Sequence, residues 1–342
     1  MKILVTGGLG YIGSHTIVEL QNEGFEVIAI DNLSNSSLSV LTGIEKITGK
    51  KPVFEQLDLR DKVAVKDFFK KYTDIAGVIH FAASKAEGES VANPLLYYEN
   101  NVNTLVYLLQ ELQNVPDAKF IFSSSCTVYG QAKKMPITEN APIQPAISPY
   151  GNTKKIGEEI ITNICEVSNL NAILLRYFNP IGAHPSAEIG ELPIGIPQNL
   201  IPYITQTAAG LRKELSVYGN TYPTPDGTCI RDYIHVVDLA KAHVVALQRL
   251  IYKTNILNLE TYNVGTGTGS SVLEVITAFE KVSKQKLKYK IVARREGDIT
   301  SAYANTTKAN TILGWKAKSS LEDALDSAWK WEQKIRTQEI VD

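Results

Sequence analysis

Cysteine is scarce in this chain, with only Cys126, Cys165 and Cys229 among 342 residues, all widely spaced. They form neither a metal-ligand spacing nor a disulfide framework. The five histidines are equally dispersed, so no metal site is expected. A surplus of one charge is also missing: 35 basic residues face 36 acidic ones, for a formal net charge of −1. Without a basic block, nucleic acid and anionic membranes are disfavoured as partners. Long apolar runs are absent too. The opening MKILVTGGLG breaks off at its glycines, too short for a signal peptide core, and nothing later reaches membrane-span length. The expectation is a soluble, cytoplasmic protein.

What the chain does have is alternation. At 44% hydrophobic, it can build one large α/β unit or two unequal domains. Short β-branched runs at 2–6 (KILVT), 26–31 (EVIAID), 77–82 (GVIHFA), 119–123 (KFIFS) and 172–177 (AILLRY) are nearly continuous in apolar character. That suits strands buried on both faces of a parallel sheet. Amphipathic stretches at 12–22, 94–113 and 149–167 lie between them, so the fold class is α/β with a doubly wound parallel sheet. After residue 180 the long segments AHPSAEIGELPIGIP and GNTYPTPDGTC are rich in proline and glycine and read as long loops, which in a compact chain are usually functional or disordered. A helical tail at 321–336 closes the chain, and no internal repeat or low-complexity segment occurs. The expected organisation is a nucleotide-binding domain over 1–180 and a smaller α+β substrate domain over 181–342, with segments near 230–262 returning to the first.

TGGLGYIG at 6–13 follows the first strand and opens the first helix. Gly8, Gly10 and Gly13 satisfy G-x-G-x-x-G, and Gly7, Gly10 and Gly13 give a second glycine spacing. Such a loop lets backbone approach a pyrophosphate closely and present N–H groups at a helix start. A further glycine run, Gly265-Thr-Gly267-Thr-Gly269, also follows a possible strand, but no acid-ended strand comes after it and it reads as an ordinary turn. The first loop does have its acid. Asp31 ends the next strand, 18 residues beyond Gly13, where a carboxylate takes ribose hydroxyls and repels a 2′-phosphate. NAD is therefore preferred to NADP.

SPYGNTK at 148–154 puts Ser148 as a helix N-cap, Pro149 in the first turn, and Tyr150 and Lys154 one turn apart on one face. Alone, Y-x-x-x-K is compatible with a plain exposed helix start. The strand 119–123 runs into Ser124 and Ser125 at the sheet edge where ligands gather. Ser123 and Ser124 can satisfy the loop backbone, and Ser125 is placed to face a ligand. A tyrosine with pKa about 10 is ionised roughly once in a thousand at pH 7, so use as a base needs a shift of about three units, on the order of 4 kcal/mol. One close cation supplies about one to three units. Lys154 suffices with help from the helix start and an oxidised nicotinamide. Tyr150 then takes a proton from a substrate hydroxyl while hydride leaves the same carbon.

The runs VTGGLGYIGSHT, DNLSNS, VIHFAA-K-GES, FSSSCTVYG, SPYGNTK, LLRYFNPIGAHPS, GTCIRDYIHVVDLA and RREGD lie between residues 5 and 298. Together they make the chain resemble the extended branch of the short-chain dehydrogenase/reductase superfamily, and within it the UDP-glucose (UDP-galactose) 4-epimerases. The resemblance implies an NAD-binding Rossmann domain and epimerisation at sugar carbon 4 through a 4-keto intermediate, within galactose metabolism. By the same resemblance, Gly7, Gly10, Tyr11, Ile12, Gly13, Asp31, Asn32, Asn35, Ser36, Asp58, Leu59, Phe81, Ala82, Lys85, Asn100, Ser123, Tyr150, Lys154 and Phe178 line the NAD site. Ser125, Tyr150 and Lys154 are implied as catalytic. Ser125, Tyr150, Asn179, Asn199, Leu200, Val217, Tyr218, Arg231, Tyr233, Arg295, Asp298 and Ala302 are implied to hold the UDP-sugar. Arginines suit a pyrophosphate, whose oxygens guanidinium forks match, although each of these could equally be a solvated surface residue.

Dehydratases sharing this fold place an Asp–Glu pair after the active-site threonine, and related decarboxylases keep the glutamate. Here the stretch is Ser125-Cys126-Thr127-Val128-Tyr129, without a carboxylate. Pentose and uronate epimerases, and an NAD-dependent nucleotide-sugar dehydrogenase, remain as alternatives. Against the family pattern, Ala83-Ser84 replaces Gly-Leu and Cys126 replaces Ala. Ala302 stands where members confined to UDP-glucose and UDP-galactose carry tyrosine, so N-acetylated sugars are expected to fit; alternatively, alanine fills a loop neutrally. The resemblance also implies a homodimer built from the helices around 95–112 and 155–167, whose apolar positions could equally be core.

Overall fold

The computed structural model describes residues 1–295 and 298–339, so Glu296 and Gly297 of the RREGD run lie outside the described residues. The central sheet contains β1 (Lys2–Thr6), β2 (Glu26–Asp31), β3 (Val53–Gln56), β4 (Ile75–His80), β5 (Lys119–Ser123), β6 (Asn171–Tyr177) and the strand Leu259–Val264. Every pairing in it is parallel, and the order across the sheet is Leu259–Val264, β6, β5, β4, β1, β2, β3. Successive side chains of a strand point to opposite faces. Ile3 and Val5 therefore join Ile17, Leu239 and Leu247 on one side, and Leu4 joins Leu105, Phe120 and Ile161 on the other. Helices cover both faces, which is why the strands read as continuous apolar runs.

The helix Pro149–Val167 starts as its sequence predicts. Ser148 Oγ accepts the Gly151 N–H at 3.1 Å, and Pro149 fills a position whose N–H would be orphaned anyway. Three features differ from expectation. β4 begins and ends two residues earlier than 77–82, because Phe81 and Ala82 have left the ladder to form the sheet's edge loop. β3 and Leu259–Val264 carry polar residues that hide their strand character; buried Glu260 is accommodated by a bond from Arg249 Nε at 2.6 Å. The helix expected over 94–113 is interrupted by a wide π-type turn, Glu99–Asn103, between Pro94–Tyr98 and Thr104–Leu112. Such turns insert a residue and swing side chains out of the helical register. Here Asn100 Nδ2 donates to Ser84 Oγ (3.1 Å), and Asn101 Nδ2 reaches Ser84 O (2.9 Å) and Thr153 Oγ1 (3.0 Å).

A second core, including Ile204, Val217, Phe279 and Leu325, forms among the helices Leu200–Ala208, Val272–Ser283 and Leu321–Glu339 and the paired strands Leu215–Tyr218 and Tyr289–Val292. The chain between them passes back to the first sheet. The helix Val236–Ile251 lies along Tyr11–Asn22, and Leu259–Val264 forms an edge of the sheet. The second glycine run is a turn wrapped on Asp232, whose carboxylate accepts the N–H groups of Thr266 (2.8 Å), Gly267 (3.1 Å) and Ala304 (3.1 Å).

Behind the sheet edge lies a buried polar network. Arg176 on β6 donates to Glu158 through Nε (2.9 Å) and a terminal nitrogen (2.6 Å), and to the Tyr129 hydroxyl at 3.0 Å. Ser124 Oγ donates to Glu158 at 2.5 Å, and Tyr129 donates to Asn263 at 2.6 Å. Replacing one member of a buried ion pair strands the other charge. Arg176→Met should lower the unfolding free energy in urea titrations by about 3–5 kcal/mol, and adding Glu158→Leu should recover part of that loss.

Candidate active site

The strand order turns back between β1 and β4, and the crevice outside their carboxyl ends is where such sheets take ligands. Gly7 adopts φ +64° there, and a Cβ on it would stand 2.8 Å from Ala82 N. A Cβ on Gly13 would stand 2.2 Å from Gly7 O, so the loop cannot carry side chains at either place. Gly10 caps the helix Tyr11–Asn22 with no side-chain bond, leaving the first-turn N–H groups of Tyr11, Ile12 and Gly13 for an anion. Asp31 is buried, accepting the Leu9 N–H (3.0 Å), the Leu33 N–H (2.9 Å) and the Ser36 hydroxyl (2.8 Å), while Asn35 beside it is exposed. Asn32 Nδ2 donates to Asp58 at 3.2 Å, and the Arg60 guanidinium holds the Asp58 carboxyl down to about 2. A cavity of about 450 Å³ opens there, lined by Asn32, Ser34, Gln56, Leu57, Asp58 and Arg60. Leu59 is core, and Phe81 packs its ring 4.7 Å from that of His243. Tyr11 donates to Gly182 O at 2.6 Å, and Lys85 Nζ lies 5.8 Å from the Tyr11 ring centre. The glycine cradle, the uncapped helix start and the acid at the end of β2 fit a dinucleotide.

Next along the sheet edge, β5 delivers Ser123, Ser124 and Ser125. Ser125 Oγ accepts from Thr127 N–H (3.2 Å) and Thr127 Oγ1 (3.0 Å), and lies close to the Tyr150 phenol. Tyr150 is buried, and burial, together with Tyr177 nearby, pushes its phenol well above the ordinary value; the nearby Ser125 hydroxyl opposes this. Lys154 Nζ donates to Ser123 O at 2.7 Å over the Phe122 ring. Burial lowers its pKa from 10.5 to about 8, with Glu158 one turn on acting against the shift. The protein's own groups thus keep the phenol protonated and aim the ammonium at a main-chain carbonyl.

A third group lies in the second half of the chain. Arg231 pairs with Asp298 and donates to Ile230 O and Ile299 O at 2.9 Å. Arg295 stacks 3.9 Å above the Tyr218 ring, and Tyr222 donates to Asp298 at 3.2 Å. Asn179 and Tyr233 are partners on adjoining short strands, Asn179 N–H bonding Asp232 O at 2.9 Å. Phe178 and Ala302 are buried in one cluster with Val128 and Tyr129, and Ala302 pairs with Arg231 across a short ladder. Leu200 opens the helix Leu200–Ala208, and Asn199, its N-cap residue, donates its side chain to Glu191 instead. Val217 is core and offers only its main chain.

The family model described as GDP-mannose 4,6 dehydratase matches residues 4–328. A UDP-glucose 4-epimerase of Bacillus subtilis is 51% identical over 333 residues, covering 97% of each chain. The chain belongs to the UDP-glucose 4-epimerase family. Among solved structures, the epimerase of Stenotrophomonas maltophila with bound NAD and formylated UDP-arabinopyranose superposes with a TM-score of 0.95 at 46% identity, covering 99% of both chains. That of Bifidobacterium longum in complex with NAD+ and UDP gives 0.92 at 46% identity, covering 98% of both.

Sequence reading missed several residues around this epimerase-family site. Tyr222 lies in a proline-rich loop and shows its contact with Asp298 only when folded. Asp232 hides beside Arg231, and Glu191 sits in a loop whose partners are far away in sequence. The lowered Lys154 value has a consequence for stability. Between about 8 and 10.5 the folded state binds fewer protons at Lys154 than the unfolded chain, so stability rises with pH across that window. Lys154→Met should remove this rise and stabilise the NAD-free protein at pH 7 by on the order of 2 kcal/mol, read by urea unfolding at pH 7 and 10.

Proposed function

We propose that the protein interconverts UDP-galactose and UDP-glucose by removing and returning hydrogen at sugar carbon 4, with Tyr150 as the proton-transferring group. The observation that carries this is that Ser125, Tyr150 and Lys154 all lie at the carboxyl end of β5, with Glu87 within electrostatic reach both of Tyr150 and of Arg231, Asp298 and Arg295. NAD+ supplies the hydride acceptor and donor when bound, held by Gly7, Gly10, Gly13, the Tyr11–Ile12 helix start and Asp31. Asp31, with Ser36 and Asn35, would hold the adenosine ribose, and Asn32, Asp58 and Leu59 would line the neighbouring part of the cofactor site. Phe81, Ala82, Lys85, Asn100, Ser123 and Phe178 line the remaining wall.

Tyr150 needs added positive charge before its phenol becomes an acceptor, because burial alone raises it. Lys154 supplies part, and an oxidised nicotinamide the rest. Ser125, beside the same phenol, would orient it and the sugar hydroxyl for proton transfer. The resulting 4-keto sugar turns over and is reduced on its other face. For that the nucleotide must be gripped and the sugar left loose. Arg231 and Arg295 bind the diphosphate; Asn179, Asn199, Leu200, Val217, Tyr218, Tyr233 and Asp298 hold the remainder of UDP. The stretch Cys126–Tyr129 offers no carboxylate for elimination of water. A small side chain at Ala302, beside Arg231 in the short ladder, supports UDP-N-acetylglucosamine and UDP-N-acetylgalactosamine as further substrates.

The protein is further proposed to be a cytoplasmic homodimer. Its three cysteines are free, as in a reducing compartment, and Leu95 (81% exposed) and Val167 (80%) present apolar surface at the ends of the two helical segments concerned.

Purified protein incubated with UDP-galactose and no added nucleotide should form UDP-glucose, followed by NMR; no product even with NAD+ supplied would refute the assignment. Tyr150→Phe should lower kcat by about 10²–10⁴-fold while UDP affinity, read by calorimetry, changes little. Ala302→Tyr should reduce the ratio of kcat/KM for UDP-N-acetylgalactosamine to that for UDP-galactose by at least about tenfold, and an unchanged ratio would remove Ala302 as the determinant.

A further inference from the structure

Glu191 has no part in the site described so far, yet its carboxylate touches a member of each half. Oε1 accepts from Asn199 Nδ2 at 2.7 Å and pairs with Lys85 Nζ at 3.3 Å. The Glu191 side chain is largely buried, 13% exposed, against 48% for Lys85. Its backbone is pinned independently: Glu191 O accepts Trp331 Nε1–H at 2.9 Å, and Gly190 lies so close to Trp331 that a Cβ would approach its ring to 2.5 Å. One step earlier, His184 N–H bonds Ile189 O at 3.1 Å, closing the segment into a tight loop. The carboxylate therefore hangs from a fixed main chain.

We propose that Glu191 is a positioning residue for substrate binding, acting through Asn199. An amide at an exposed helix start rotates freely and can present either oxygen or nitrogen to a ligand. A carboxylate accepts only, so the bond to Glu191 fixes Nδ2 toward itself and leaves the second N–H of that nitrogen for an anionic ligand. A bare carboxylate beside a diphosphate site would repel the ligand. Lys85, paired on the other side, offsets that charge, which links the cofactor-side loop to the substrate-side helix across the crevice. This inference rests on the assignment of Asn199 to UDP binding.

The test is a double-mutant cycle on NAD-loaded enzyme, reading UDP affinity by calorimetry and KM for UDP-galactose. Glu191→Ala should weaken UDP binding about tenfold, as expected for loss of a charge-assisted bond that orders a ligand contact, and raise KM with kcat within threefold. Glu191→Gln keeps an acceptor for Asn199 and should bind UDP within threefold of the parent. Asn199→Ala should weaken UDP binding by itself, and the double variant Glu191→Ala/Asn199→Ala should be no worse than Asn199→Ala alone. Additive losses, or a Gln variant as weak as the Ala variant, would overturn the role of Glu191. If Asn199→Ala leaves UDP affinity unchanged, the assignment of Asn199 fails, and the inference with it.

Discussion

The structure depends first on the buried pair of Arg176 and Glu158. One guanidinium and one carboxylate join β6, the helix Pro149–Val167, the end of β5 through Ser124, and the turn Cys126–Tyr129. Each of those segments adjoins the proposed site: Ser125 lies between Ser124 and the turn, Phe178 follows β6, and Tyr150 and Lys154 precede Glu158 on its helix. Desolvating two charges is costly, and bidentate geometry with further donors offsets it. The reward is orientation. A network with every member satisfied holds four backbone segments in one register, and the side chains beside it inherit that register.

The same helix shows how one element serves two purposes. Its first turn exposes Tyr150 to the crevice, and its second reaches Lys154 under the end of β5. The next turn is committed to the ion pair. Gly157, between them, packs so closely on Phe122 that a Cβ would come within 2.8 Å of the ring. Helix and strand are thus in near contact where the chemistry sits, which shortens the reach Lys154 needs to the Ser123 carbonyl.

Much of the fold was legible from periodicity, because strands buried on both faces leave unbroken apolar runs and β1, β2, β5 and the helix Pro149–Val167 follow that rule. β3 and Leu259–Val264 did not, since edge exposure in one and a paired Glu260 in the other dilute the signal. The wide turn at Glu99–Asn103 has no composition cue either; its asparagines look like ordinary polar helix positions until Ser84 is seen opposite. At the site, local motifs such as the glycine loop, Asp31 and Tyr150–Lys154 were readable because their chemistry is written in short spacings. Asp232 and Tyr222 were not, because each matters through a partner 34 or 76 residues away, and Glu191 was not, because its contacts with Asn199 and with Lys85, 106 residues away, appear only in the folded chain.

Asp232 also shapes how this site can change over time. Its carboxylate receives N–H groups from Thr266, Gly267 and Ala304, and its own N–H bonds Ala302 O at 3.0 Å. The main chain at Ala302 is therefore held from below, whatever side chain it carries. A larger residue there would have to displace side chains of its cluster, Val128, Tyr129 and Phe178 among them, rather than the backbone beneath it. Changes at this position would therefore be felt through side-chain packing, with the main-chain frame left in place.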